Sequence, residues 1–322
     1  MQNTTTRPVV TVTADGRGVA SHAGSRLLAD LADVTGVPQA FSEALGGLRR
    51  RRSRHDPGRV LVDVAVMLAD GGEAISDLAV LRDRPELFGA AASTATAWRV
   101  LDGVDETVLG RLRQARAVAR ERAWLARAEL GRVLPSAGGR LLPGLVIDAS
   151  LVRCHSEKES AAATFKGGFG YHPVLAFLDN TGEALAGLLR PGNAGSNTAV
   201  DHITVTDLAL AQIPDTLRYG RPILVRADGA GATRDWLAHL RGLRNQNLDV
   251  EFSVGFTMTR AVQAAIDALP KTAWTPAIET DGSVRDGADV AEVTGFLDGL
   301  TGAGWPAGMR VIVRRERPHP GA

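Results

Sequence analysis

The sequence predicts an α/β protein: a mixed sheet with helices, preceded by an all-helical segment and followed by a strand-rich one. Three observations carry this. Apolar residues recur at helical spacing from position 25 to about 127, then change after Gly144 to short strand-like runs. Two of those runs, Leu145-Val146-Ile147 and Ile223-Leu224-Val225, lead into the aspartates Asp148 and Asp228. Helical patterns separate the later strands, whereas the first three follow one another directly, as in a sheet with an antiparallel start and helix-linked members.

In chain order, residues 9–12 read as a short strand turned by Ala14-Asp15-Gly16. Leu27, Leu28, Leu31 and Val34 form one apolar stripe of a helix. Val37-Pro38 punctuates it, and residues 41–48 continue. Asp56-Pro57 is an N-cap with proline at the first helical position, opening a mostly buried helix over 60–68. Ile75, Leu78, Ala79 and Leu81 begin another, broken at Asp83-Arg84-Pro85. Ser93-Thr94 caps the segment around Trp98, and Asp105 caps a long helix rich in arginine. Residues 130–143, rich in Gly and Pro, read as a linker. Strands are then expected at 145–147, 173–178 and 184–189, the last two joined through Asp179-Asn180-Thr181-Gly182 as a hairpin. A helix over 197–213, a strand over 223–227, a helix over 233–243 and a strand over 250–254 follow. From Trp274 onward the pattern is of short strands and turns. The expected domains are an N-terminal strand and tail (1–24), a helical domain (25–140), an α/β core (141–258) and a strand-rich segment (259–322).

A chain of 322 residues has room for two or three domains. Its net charge of +1 makes it no general polyanion binder, so a nucleic-acid surface must come from local clustering. Two clusters qualify: Arg49, Arg50, Arg51, Arg52 and Arg54, and the helix that carries Arg113, Arg116 and Arg120. Each reads as a DNA contact or as a solvated helix face. The one cysteine, Cys154, excludes an internal disulfide and a Cys-based zinc cluster. The histidines show no His-x-x-x-His pair, so no zinc site is assigned. No Gly-x-Ser-x-Gly elbow points to a serine hydrolase. The first residues have no apolar signal core, and 60–69 is too short to span a bilayer and contains Asp63. The expectation is a cytoplasmic protein without a membrane partner.

The strand-end aspartates are the candidate chemistry. A carboxylate that ends an apolar strand is costly to bury unless it is paired, protonated or bound to a metal. Two such strands side by side bring both groups to one sheet edge, which suits a divalent cation and phosphate chemistry. The competing reading makes each a loop-edge or capping aspartate; the pair favours the first. Lys166-Gly167-Gly168-Phe169-Gly170-Tyr171 lacks the Gly-Lys-Ser/Thr ending of a phosphate-binding loop, and reads as a close phosphate approach or a plain tight turn. Trp274 and Trp305 read as base-stacking or packing residues.

Several motifs together carry a resemblance. They are Val146-Ile147-Asp148-Ala149-Ser150, Gly170-Tyr171-His172-Pro173-Val174-Leu175-Ala176-Phe177, Thr181-Gly182-Glu183, Leu189-Arg190-Pro191-Gly192-Asn193-Ala194, Val225-Arg226-Ala227-Asp228 and Trp305-Pro306-Ala307-Gly308-Met309-Arg310-Val311. In combination they resemble bacterial DDE-type insertion-sequence transposases of group 1, over essentially the whole chain and most strongly from Gly144. The resemblance implies a ribonuclease H-like catalytic domain and cut-and-paste transposition by two-metal phosphoryl transfer with Mg²⁺. It implies DNA partners (terminal inverted repeats and target), a homodimer and a nucleoid-associated location. Asp148 and Asp228 match the first and second acidic residues, and Lys166, Arg190 and Asn193 join the candidate DNA contacts. The resemblance makes 25–140 a DNA-binding or dimerisation domain, and the third acidic residue of such enzymes is a glutamate on a later helix, after a strand-rich insertion of which 259–322 would be part. Glu279, Glu292 and Glu316 stand in strand-like or turn-like contexts. The expectation is therefore a chain truncated inside the insertion and impaired in activity. One alternative is a non-catalytic DNA-binding or dominant-negative relative. Another is an unrelated two-metal nuclease or phosphatase using Asp148 and Asp228 with Glu251 or Glu279.

Overall fold

A computed structural model describes residues 7–16, 19–49, 53–137, 143–155, 157–196, 198–297 and 304–317. The chain divides into two units, Met1–Arg132 and Val133–Ala322. The division falls inside the Gly- and Pro-rich stretch.

The first unit is helical: α1 (Ser25–Thr35), α2 (Val37–Ala44), α3 (Pro57–Ala69), α4 (Ala79–Arg82), α5 (Pro85–Phe88), α6 (Thr94–Asp102) and α7 (Glu106–Glu129). Side-chain caps set three of the starts by satisfying backbone N–H groups that lack a helical partner. Asp56 accepts from Gly58 and Arg59, Ser93 from Thr96, and Asp105 from Val108. Helix α3 is central, and Val60, Val62, Val64, Val66 and Met67 on it are buried against Ala29, Leu78, Leu81, Phe88 and Ala97. A second cluster, Leu45, Val108, Leu112 and Ala115, joins α2 to α7.

Two expectations fail here. Residues 9–12 form no strand, and Val9 is fully exposed. An extended segment with no partner strand has no ladder to join. It is held instead by Arg7, buried within 3.2 Å of Asp33 and 3.1 Å of Asp63. Helix α1 forms, but its leucine stripe faces outward: Leu27, Leu28, Leu31 and Val34 are exposed, while Ser25, Arg26, Ala29 and Thr35 are buried. Buried ion pairs decide the orientation. Arg26 donates to Asp30 and to the Leu87 carbonyl. Arg59 on α3 donates to Asp63 at 3.0 Å and to the Phe88 carbonyl at 2.7 Å. Turning the leucines inward would carry Arg26 away from the Leu87 carbonyl and Asp33 away from Arg7, leaving buried guanidinium groups short of partners.

The second unit contains β1 (Gly144–Ala149), β2 (Val152–Arg153), β3 (Ala162–Ala163), β4 (Phe169–Tyr171), β5 (Val174–Leu178), β6 (Glu183–Leu188), α8 (Ala199–Leu210), α9 (Asp215–Arg218), β7 (Ile223–Ala227), α10 (Arg234–Gly242), β8 (Val250–Val254), α11 (Arg260–Asp267), β9 (Thr275–Ile278), β10 (Val284–Glu292) and β11 (Ile312–Glu316). Its main sheet has the order β6-β5-β1-β7-β8. Strands β6, β5 and β1 are antiparallel, whereas β7 and β8 run parallel to β1. This is a ribonuclease H-like sheet. Helices α8 and α10 pack on one face. Toward them point Leu145, Ile147, Ile223 and Val225, buried with Val205, Ala209, Leu237 and Trp236. Trp236 donates its Nε1–H to Thr206 at 2.9 Å, so the largest buried side chain leaves no donor unmet. Strands β2, β4 and β3 form a small sheet past the end of β1, and β9, β10 and β11 form a third. Helix α11, capped by Thr259, packs Ala265 against Ala291, Val293 and Val313.

Candidate active site

Asp148 and Asp228 stand at neighbouring strand ends. In the parallel β1–β7 ladder Ile147 pairs with Ala227, so each aspartate is the next residue along its own strand. Strand neighbours lie about 4.8 Å apart, and residues in register share a face. The alternation that turns Ile147 and Val225 toward the helices turns Asp148 and Asp228 to the opposite face, where both are exposed. Exposure corrects the argument from buried charge, since neither carboxylate is desolvated. Each is oriented by one local bond. Asp148 Oδ1 accepts from the Ala149 N–H at 2.7 Å, and Asp228 Oδ1 accepts from the Ala230 N–H at 2.9 Å. Asp228 thus caps the turn at Gly229–Gly231, so the capping reading holds for it alongside its place at the sheet edge.

The loops around this edge are tightly built. Gly255, which directly follows β8, lies against the backbone of Asp228 and Gly229. Gly192 sits in the turn after β6, where a Cβ would come within 2.3 Å of the Ala162 carbonyl oxygen. That turn is anchored by Arg190. Its guanidinium donates to the carbonyls of His172 (2.9 Å) and Gly195 (3.0 Å) and to Asp201 (2.9 Å).

A family model for transposase DDE domain group 1 matches residues 2–322. The chain belongs to this family. Among solved structures it is similar to a piggyBac transposase synaptic complex with hairpin DNA, determined by cryo-electron microscopy. The identity is 12% and the TM-score 0.35, with 87% of this chain and 59% of that chain covered. The chain therefore spans less than two thirds of that transposase chain. No curated relative matches.

DDE transposases act through divalent metal ions. The fit here is to one hard cation, which takes one or two carboxylates and completes its shell with water and phosphate oxygens. Asp148 and Asp228, two exposed carboxylates at neighbouring strand ends, have the chemistry of such a pair. Among the described residues no group of three or more His, Cys, Asp or Glu converges to hold a metal. The glutamates weighed from the DDE pattern are engaged elsewhere. Glu279 and Glu316 both bind Arg285, and Glu292 binds Arg310 at 2.6 Å. The Arg310 hydrogen bond holds the Glu292 carboxyl below the usual carboxylate range, and Arg285 does the same for Glu316. Glu251 pairs with Leu224, three positions back along the ladder from Ala227–Val254, or about 10 Å from the edge. That removes the unrelated nuclease reading.

The candidate DNA contacts of this DDE domain lie in different settings. Lys166 and Asn193 are exposed, on the small sheet and on the turn packed against it, beyond the end of β1. Arg190 is buried and braces its loop rather than presenting its head group. Arg49 and Arg54 are exposed, with Arg49 3.8 Å from Asp56; Arg50, Arg51 and Arg52 lie outside the described residues. Arg113, Arg116 and Arg120 are half-buried on α7, and Arg113 lies 3.9 Å from Glu106. Trp274 packs beside the third sheet under Arg315, and Trp305 meets Phe256 at 4.7 Å. The reading from sequence missed α11 and the β2-β4-β3 sheet. Thr259 followed by Val262, Ile266 and Leu269 is a capped helical stripe that announces the helix. The strands of two or three residues carry no periodic signal.

Proposed function

We propose that the chain performs DNA transposition by phosphoryl transfer at transposon ends, with Mg²⁺ as the metal. The observation that supports this reading most directly is the β1–β7 register, which sets Asp148 and Asp228 side by side on one exposed sheet edge. Asp148 and Asp228 would hold the cation. When bound, it polarises the phosphodiester and lowers the pKa of the attacking hydroxyl. The protein's own share is positioning. Gly255 lets the β8 loop brace the Asp228 backbone, and the Ala149 and Ala230 amides aim the two carboxylates. Arg190 holds the turn that presents Asn193 beside the Lys166 turn, where exposed polar groups meet a phosphate backbone. Arg49, Arg54 and the α7 arginines add positive charge in the helical unit.

The reading includes DNA ends and target as substrates, two copies acting together, and the cytoplasm as the setting. Among the described residues no helix is long and apolar enough to cross a membrane. For two copies, the α1 stripe of Leu27, Leu31 and Val34 supplies exposed apolar surface. A second reading is DNA binding without cleavage. It is favoured by the absence, among the described residues, of a third carboxylate beside the pair.

One experiment separates them. The purified chain is incubated with duplex carrying its element's terminal repeats, with and without Mg²⁺. In parallel, Fe²⁺ with peroxide and ascorbate maps metal-directed backbone scission. Mg²⁺-dependent nicking lost in Asp148→Asn supports the first reading. Scission near residues 148 and 228 without nicking supports the second. Nicking that survives Asp148→Asn, or scission elsewhere, removes the aspartate pair from the mechanism.

A further inference from the structure

A groove of about 710 Å³ runs along the outer edge of β8, between it and the segment 308–314 that leads into β11. Both walls are sheet edges among the described residues, since β8 ends the main sheet and β11 ends the third one. Its charged lining is four arginines, Arg241, Arg244, Arg310 and Arg314, against one carboxylate, Glu251. Arg244, Arg310 and Arg314 are exposed and make surface ion pairs with Asp249, Glu292 and Glu316. Such pairs are worth about 0–1 kcal/mol, so a phosphate competes with them readily, and a guanidinium has donors for both. Arg241 lies over the Phe252 ring at 5.2 Å, and its buried Nε has no hydrogen-bond partner among the described residues.

The groove also has aromatic surface. Phe256 is 42% exposed and is backed by Trp305, which lies under the Arg234 guanidinium. Arginines along a track with a half-exposed ring are the chemistry of single-stranded nucleic acid, with phosphates on the cations and bases on the ring. One end of it is decisive. Gly255 is part of the lining and lies against the Asp228 backbone, so the groove passes beside the proposed catalytic edge.

We infer that this groove carries a single DNA strand leading to or from the phosphate held at Asp148 and Asp228. The assignment rests on the proposed function. It is tested with the full chain by fluorescence anisotropy, using a fluorescein-labelled single-stranded oligonucleotide of mixed sequence over a salt series. The variant Arg244→Gln/Arg310→Gln/Arg314→Gln is expected to bind about tenfold or more weakly at low salt. Its log K against log salt slope should be shallower by about 2, at roughly 0.7 per lost phosphate contact. Phe256→Ala is expected to bind about fivefold or more weakly with the slope unchanged. Circular dichroism and Tm confirm that both variants fold.

A wild-type slope in the triple variant overturns the assignment. So does displacement of the oligonucleotide by poly-glutamate at equal charge, which would make the groove a site for acidic protein. Tighter duplex binding that depends on the same arginines also overturns it. The two proposals fail separately. Nicking that ignores Asp148 while strand binding follows the groove arginines defeats the catalytic reading alone. Asp148-dependent nicking with a wild-type slope in the triple variant defeats the groove alone.

Discussion

Gly255 lies against the backbone of Asp228: a Cβ on the glycine would stand 3.1 Å from the aspartate's carbonyl carbon and 2.8 Å from the Gly229 nitrogen. The Gly255 N–H donates to the Ala227 carbonyl at 3.1 Å, so the loop cannot slide away without losing that bond. Gly255→Ala should therefore displace the second carboxylate. An overpacked backbone contact costs about 1–3 kcal/mol, and a 1 Å misplacement at a reacting centre about a hundredfold in rate. The variant is expected to keep its fold, lower Tm modestly and lose Mg²⁺-dependent nicking by tenfold or more. Unchanged nicking would show that the loop does not set the position of Asp228.

The ion pair of Arg59 and Asp63 is buried, with side chains 7% and 3% exposed, and Arg7 shares the same carboxylate. Asp63→Ala removes the common partner and leaves two guanidinium groups without it. Breaking a buried pair on one side costs about 3–5 kcal/mol. Urea unfolding followed by circular dichroism should show a loss of that size, and a loss below 1 kcal/mol would mean that water reaches the pair.

Leu31 is 58% exposed on α1. Leu31→Lys is expected to change the unfolding free energy by no more than about 0.5 kcal/mol. Ala29→Leu, one turn's face away and fully buried, is expected to cost about 1–3 kcal/mol by overpacking. If two copies meet through the α1 stripe, Leu31→Lys also shifts the sedimentation coefficient to that of a monomer. Equal costs for the two substitutions would contradict the outward orientation of α1.

His55 carries a pH dependence. Burial, then the charge of Arg54, lowers its pKa from the ordinary value of 6.5, and Asp63 only partly offsets this. The folded chain thus favours neutral His55 more than the unfolded chain does. The stabilisation is complete above 6.5 and is lost as pH falls through the folded-state value. Asp77, Asp281, Glu292 and Glu316, all held below their ordinary values, act only in a more acidic window. Stability measured in urea between pH 7 and 5 should decline in the wild type, and His55→Gln should flatten the decline. An identical slope in the variant would assign it to other groups.

Thr206 accepts the Trp236 indole N–H in a site where both residues are fully buried. Thr206→Val keeps the shape and leaves the donor unmet, at a cost of about 1–3 kcal/mol. Differential scanning calorimetry would register it. A neutral result would indicate that the indole finds another acceptor.

The strands of the main sheet were legible because their signals are local. The runs ending at Ile147, Ala227 and Val254 are apolar and bounded by turn residues, and each forms a strand at or close to the expected limits. The caps at Asp56, Ser93 and Asp105 were legible for the same reason. What depended on tertiary placement was not. The stripe of α1 has the spacing of a core face, yet the guanidinium of Arg26 occupies the inside. Arg190 has the composition of a DNA contact, yet three acceptors hold it within the loop. The groove beside β8 has no sequence signature, because its arginines come from α10, the turn after it and β11 with the segment before it.

Strand β1 sits at the middle of its sheet and is synthesised before both of its neighbours. On a chain leaving the ribosome, its two hydrogen-bonding edges stay uncovered until β5 and then β7 have emerged. The β5–β6 hairpin, close in sequence, can form first and offer β1 an edge, whereas the parallel partner must wait for a long crossover. Half-made chains therefore display a sticky ladder and only one of the two acidic strand tips. The paired carboxylates of Asp148 and Asp228 come together only at a late step, once β7 has docked beside β1.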